Sequence, residues 1–309
     1  MNNIVIIGSG CAGWTSALYT ARANLKPLLL TGAQPGGLLT TTSTVENYPG
    51  FPEGIDGAEL MMRMQQQAER FGANVQYGVS ITKTDFTTRP FKLWADDDLI
   101  ETRAVIIAVG ASHRHLGLTS EDKLERKGVT YCATCDGALP MFRNQPLIVV
   151  GGGDSACEEA HYLTHFGSRV HLVHRRNELR ASKIMADRVL NHPKIEMVWD
   201  SVVHDITDVA QDKVTGVLLR NVKTNAIREI PCAGVFVAIG HAPNTKIFSG
   251  QIEMDDDGYI LRNIGTQTNI PGVFAAGDCV DRTYRQAITS AGSGCAAAID
   301  AERWLSANH

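Results

Sequence analysis

The sequence predicts an α/β protein that uses one strand–turn–helix plan twice. Three observations carry this reading. The apolar run 4–7 ends in Gly8-Ser9-Gly10-Cys11-Ala12-Gly13, and the apolar run 146–150 ends in Gly151-Gly152-Gly153-Asp154-Ser155-Ala156. A helical segment follows each glycine cluster. Each half also holds a second apolar strand that stops at glycine, 105–110 and 235–240. A repeat on the scale of a whole domain is an internal duplication, not a short-period solenoid.

In chain order, residues 4–7 read as a strand of the buried, parallel type and 14–23 as an Ala/Leu-rich helix. A second strand covers 27–30. A long Gly/Thr/Pro loop follows from 32 to 54, and loops of that length are usually functional. The segment 57–71 is a helix with Leu60, Met64 and Ala68 on one face. Residues 75–94 are β-rich, and 105–110 closes the first half. The second copy has a strand at 146–150, a helix to about 166 and strands at 170–173 and 235–240. From about 242 there is no third copy. Residues 273–276 form a strand ending in Gly277-Asp278, followed by Arg285-Gln286-Ala287 and an Ala/Gly-rich helix to 304. That last strand needs a sheet, and the first domain is its natural host. The expected architecture is therefore two Rossmann-like, three-layer ββα dinucleotide-binding domains, the second inserted into the first. The boundaries are 1–114 and 243–309 for the outer domain and 115–242 for the inserted one, with crossings near 112–118 and 240–245.

Composition is that of an ordinary globular protein: 309 residues, 44% hydrophobic, 20% charged, formal net charge −4. Such mild acidity gives no general nucleic-acid footprint. The apolar run after Met1-Asn2-Asn3 is too short for a signal h-region or a membrane span, so the chain reads as cytoplasmic. There are seven cysteines, an odd number in a long chain, which argues against a structural disulfide framework. Five sit alone among apolar or small residues and read as buried hydrophobes.

The other two form Cys132-Ala133-Thr134-Cys135, followed by Asp136-Gly137, between the two glycine clusters. Cysteines at this spacing can close a small disulfide whose thiolate form attacks at neutral pH. Zinc would need a second close Cys or His pair, and none has the spacing. A redox-active dithiol between two nucleotide sites suggests an electron relay. Asp136 reads equally as a proton partner for a thiol and as a helix N-terminal acid.

Each glycine cluster follows a strand and opens a helix, the context in which glycines let a pyrophosphate approach the helix N-terminus. In the first, the ribose-binding acid expected about 20 residues on is missing. Thr31-Gly32 stands there, leaving a hydroxyl or the backbone for that role. In the second, Ala156 takes the third glycine position. After the next strand come His174-Arg175-Arg176 and then Arg180. No acid waits for a ribose 2′-hydroxyl, and guanidiniums suit a 2′-phosphate, so this cofactor should be NADP(H) rather than NAD.

These residues resemble the low-molecular-weight thioredoxin reductases of bacteria, fungi and plants, in the class II pyridine nucleotide-disulfide oxidoreductases. The likeness covers nearly the whole chain. Beyond the motifs above it includes Thr40-Thr41-Thr42 through Glu46-Asn47, Glu158-Glu159, Ala238-Ile239-Gly240-His241, Pro271-Gly272 and Arg285-Gln286-Ala287-Ile288-Thr289-Ser290-Ala291-Gly292. The resemblance implies an NADPH-dependent thioredoxin-disulfide reductase, a homodimer, with electrons passing from NADPH to FAD to Cys132–Cys135 to thioredoxin. It makes Cys132 the sulfur that attacks thioredoxin, Cys135 the flavin-facing one and Asp136 the general acid. FAD would be held by Gly8, Ser9, Gly10, Cys11, Ala12, Thr31, Gly32, Gly37, Leu38, Thr41, Asn47, Val79, Ala108, Val109, Gly110, Gly277, Asp278, Arg285, Gln286 and Ala287. NADPH would be held by Gly151, Gly153, Asp154, Ser155, Ala156, Glu159, His174, Arg175, Arg176, Arg180, Ile239 and Gly240. The alternatives are the same module serving another disulfide protein or drawing electrons from ferredoxin, and a non-catalytic redox sensor.

Four positions depart from the family pattern. Cys11 replaces a proline, Leu38 a glutamine, Val109 a threonine and Thr44 a glutamate. All four fall in the FAD half. Each lost hydrogen bond is worth about 0.5–1.5 kcal/mol, so looser FAD binding is expected, with Leu38→Gln restoring part of it.

Overall fold

A computed structural model describes residues 1–42 and 44–308. The chain divides into two compact units, one made of Met1–Ser112 with Ala242–His309, the other of His113–His241. The two crossings, Ala111–His113 and His241–Pro243, pair with each other as a short ribbon.

In the first unit, strand Asn2–Ile7 lies parallel to Leu28–Leu30 on one side and to Asp98–Ile107 on the other. Strand Val273–Ala275 pairs in parallel with the end of Asp98–Ile107, so the C-terminal segment does return to the first sheet. The apolar runs are continuous because both faces of these strands are covered. Ile4 and Ile6 pack toward helices Cys11–Arg22, Gly57–Arg70 and Ala287–Ala307, while Val5 and Ile7 pack toward Phe86, Phe91, Leu93 and Phe248. Asp98–Ile107 starts earlier than its apolar run because residues 98–102 are the third strand of an antiparallel meander with Lys83–Asp85 and Phe91–Ala95. The Ala/Gly richness of the last helix has a packing cause. A Cβ on Gly294 would lie 2.2 Å from the Ala12 carbonyl oxygen, and Ser16 Oγ donates to Gly294 O at 2.9 Å.

The second unit has a five-stranded parallel sheet in the order Ile195–Val198, Arg169–Val173, Pro146–Gly151, Gly234–Ala238, Val129–Thr130. Leu147 and Val149 face helices Asp154–Leu163 and Lys183–Leu190. Ile148 and Val150 face a three-stranded antiparallel sheet, Ser201–Ile206, Gly216–Asn221 and Ile227–Pro231. These are the three layers of a ββα arrangement. Among the described residues no helix is long and apolar enough to cross a membrane.

Candidate active site

The edge strand Val129–Thr130 delivers the chain to Cys132, the N-cap of the one-turn helix Ala133–Asp136. Residues three apart on such a turn share a side. The Cys132 and Cys135 Cα atoms are 5.3 Å apart and a disulfide joins them. Both cysteines are half-buried. Asp136 N donates to Cys132 O at 3.1 Å, and the Thr130 hydroxyl donates to Asp136 Oδ2. Burial raises the Asp136 pKa, with the Thr130 bond acting in the opposite direction. Four of the five isolated cysteines are buried as expected, and one is not. Cys11, Cys157, Cys232 and Cys279 are buried and Cys295 is half-buried. Burial pushes the Cys11, Cys232 and Cys279 thiols up to about 12, far from a neutral-pH thiolate.

In the same unit the second glycine turn lies at the carboxyl ends of the parallel strands, where open α/β sheets bind ligands. Gly151 pairs with Ala238, and Val150 with Val173. The turn opens helix Asp154–Leu163 from its N-cap Gly153, with no side-chain cap. A Cβ on Gly153 would meet nothing within 4 Å. Unsatisfied N–H groups with open space above them fit a pyrophosphate. Arg175, Arg176 and Arg180 are exposed, and none is in an ion pair among the described residues. They are free to meet a phosphate.

Two residues of this set, His174 and Ala156, are placed inside the protein rather than toward open space, and Asp154, though exposed, is already engaged. His174 is buried under the turn, where a Cβ on Gly152 would lie 2.2 Å from His174 Nδ1. Burial lowers its pKa, so it reads as a neutral support. Asp154 Oδ1 accepts from Ser182 N at 2.8 Å, and Arg180 N donates to Gly152 O at 2.7 Å. These two bonds tie the arginine loop to the turn and engage one oxygen of the acid. Ala156 is fully buried. Ser155 and Glu159 are half-buried on the same helix. Ile239 packs on the core beside the three-stranded sheet. Gly240 O accepts from Arg114 N at 3.0 Å.

In the first unit the sequence-predicted residues gather at the equivalent sheet edge, because Ile7, Leu30, Ile107 and Ala275 end the paired strands. Gly10 is the uncapped N-cap of helix Cys11–Arg22, and a Cβ there meets nothing within 4 Å. Gly8 and Gly13 explain their own identity. A Cβ on Gly8 would lie 2.2 Å from Ala108 O, and one on Gly13 would lie 2.0 Å from Gly8 O. The residues present therefore fit a second dinucleotide. Ser9 Oγ donates to Thr31 O and accepts from Gly36 N, holding the Thr31–Gly37 loop under the turn. The Thr31 hydroxyl donates to Gly32 O and accepts from Gly78 N. That commits its only proton and leaves it one acceptor lone pair. Gly32 N donates to Val79 O.

Cys11 and Ala12 are buried packing residues. Leu38 is exposed on the short helix Gly37–Thr41, and Thr41 Oγ1 donates to its carbonyl at 2.7 Å. Val109 O and Gly110 O are held by Asn244. Gly277 N donates to Ser293 Oγ, and Ser290 Oγ donates to Asp278 Oδ1 at 2.6 Å. Asn47 Nδ2 donates to Gln286 Oε1 at 3.2 Å, which brings Asn47 to the Arg285–Ala287 segment across 239 residues. Arg285 N donates to Asp281 Oδ2, and Ala287 begins the last helix.

The sequence reading gave no role to the residues that hold these ligand candidates: Thr130, Ser182, Asn244 and Ser290. Thr130 was the most visible, a hydroxyl two residues before the dithiol.

A closed pair of half-buried cysteines three residues apart, in a unit built around one glycine turn and in a chain with a second, fits the class of dinucleotide-dependent disulfide oxidoreductases. The family described as pyridine nucleotide-disulphide oxidoreductase matches residues 2–294. The chain is 51% identical to a thioredoxin reductase of Debaryomyces hansenii over 99% of its own length and 98% of that protein. It is 50% identical to a thioredoxin reductase of Rickettsia felis, over 98% and 97% respectively. A solved thioredoxin reductase from Giardia duodenalis superposes with a TM-score of 0.92 at 42% identity, covering 98% of each chain. The chain belongs to the pyridine nucleotide-disulphide oxidoreductases and, within them, to the low-molecular-weight thioredoxin reductases.

Proposed function

We propose that this chain is an NADPH-dependent flavoprotein that reduces the disulfide of thioredoxin, working as a homodimer in the cytoplasm. The observation that carries the reading is the closed Cys132–Cys135 pair in the same compact unit as the glycine turn and the three unpaired arginines. The turn at Gly151–Gly153 and Arg175, Arg176 and Arg180 would hold NADPH. The turn at Gly8–Gly10 with Asp278, Asn47 and the Arg285–Ala287 segment would hold FAD. When bound, FAD supplies a two-electron carrier between a hydride donor and a disulfide.

The chain's own residues do the rest. Reduced Cys132 attacks one sulfur of the thioredoxin disulfide, forming a mixed disulfide and expelling the second sulfur as a thiolate. Cys135 then attacks Cys132 Sγ, releasing the first thioredoxin sulfur and closing the ring seen here. Each departing thiolate needs a proton. The burial of Asp136 favours its protonated form, as a proton donor requires. The test is NADPH oxidation coupled to purified thioredoxin, with a glutaredoxin-like protein in parallel. Turnover with thioredoxin alone supports the proposal. Faster turnover with the other protein overturns its substrate.

A further inference from the structure

Asp136 has two carboxyl oxygens, and the structure treats them differently. Thr130 lies on the edge strand Val129–Thr130, paired with Phe236, and is buried. Its hydroxyl donates to Asp136 Oδ2 and accepts a long bond, 3.4 Å, from Cys132 N. One side chain thus ties the backbone of the first cysteine to the acid that follows the second. A hydroxyl has one proton to give, and here it goes to Oδ2. An oxygen that accepts a hydrogen bond is the carbonyl oxygen of a protonated carboxyl group. The proton then resides on the other oxygen, Oδ1.

We infer that Thr130 is a positioning residue for thioredoxin reduction: by donating to Oδ2 it fixes Oδ1 as the oxygen that carries the transferable proton to the departing thiolate. This rests on the proposed function, because it assigns a task within the same site. The proton moves from Asp136 Oδ1 to sulfur, and the carboxylate left behind is held by the Thr130 bond. The bond favours the ionised form, so it steadies the acid after transfer as well as aiming it before.

Thr130→Val keeps the β-branched shape that a strand accepts and removes only the hydroxyl. Thr130→Ser restores it. The holoenzyme is assayed for kcat with thioredoxin and, separately, for the rate of flavin bleaching by NADPH. Thr130→Val should lower kcat about tenfold, the scale of one misdirected proton transfer, with bleaching unchanged. Thr130→Ser should recover at least half of the loss. In an Asp136→Asn background, Thr130→Val should cause no further fall, whereas a merely structural role would lower both backgrounds alike. Unchanged kcat in Thr130→Val, an additive loss in the double variant, or failure of Thr130→Ser to rescue would each overturn the inference. Absence of thioredoxin turnover in the unaltered enzyme would instead overturn the proposed function.

Discussion

The arginine loop gives the sharpest quantitative expectation. Arg175 and Arg176 directly follow strand Arg169–Val173 and His174, at the carboxyl edge of the sheet. They are exposed and unpaired, so removing them leaves no buried charge without a partner. The chain there is held by buried His174 and by Arg180 N on Gly152 O, so the loop should keep its course in Arg175→Ala/Arg176→Ala. On the proposed function, what should be lost is contact with a 2′-phosphate. A hydrogen bond to a charged group contributes about 1.5–3 kcal/mol, and exposure argues for the low end. Two such bonds give about 3 kcal/mol, or about a 100-fold rise in the KM for NADPH. NADH carries no 2′-phosphate, so its KM should change less than about twofold. The assay is steady-state thioredoxin reduction with each nucleotide varied. Equal losses for NADPH and NADH would refute the reasoning, because the arginines would then be serving the fold.

The other predictions concern the acid, the flavin pocket and the thiols. Asp136→Asn should lower thioredoxin turnover about 100-fold, the lower part of what general acids contribute. Because burial raises the Asp136 pKa, its stabilising contribution is full below the unfolded carboxylate pKa and is lost as pH rises through the folded value. The amide does not ionise, so this variant should melt higher than the unaltered protein at pH 7, and the gap should close below about pH 4. A gap of the same size at every pH would contradict this. Leu38 is exposed on its short helix, so Leu38→Gln should fold normally. It should bind FAD about three- to tenfold tighter through one regained hydrogen bond. Equal flavin dissociation constants would sink that expectation. Alkylation at pH 8 should spare Cys11, Cys232 and Cys279, whose thiols burial pushes up to about 12. It should reach Cys132 and Cys135 only after reduction, as peptide mass mapping would show.

The parallel strands were legible because both of their faces are buried, which writes a continuous apolar run such as 105–107 or 147–150. The glycine turns were legible because the packing of Gly8 against Ala108 O leaves no room for another residue. The three-stranded sheet, Ser201–Ile206 to Ile227–Pro231, was not read from the sequence. Its last strand, Ile227–Pro231, is mostly exposed, with Arg228 and Glu229 both facing solvent, so it writes no apolar run. At the site, the sequence marked which residues cluster but not which way they point. Ala12 and His174 sit in nucleotide motifs, yet their side chains support the turns from within. Spacing alone cannot separate a ligand from the residue behind it. The partner of a hydroxyl is equally invisible, since Ser290 meets Asp278 only through the close packing of the last helix.

The central claim is that NADPH delivers electrons to Cys132–Cys135 through a bound flavin. The direct measurement is the visible spectrum of the purified holoenzyme during anaerobic addition of NADPH or NADH, with alkylation of the cysteines at the end. The account predicts a flavin spectrum bleached by NADPH and much less by NADH, with Cys132 and Cys135 newly alkylated. A bleached flavin over a pair that stays oxidised, or equal bleaching by the two nucleotides, would contradict it.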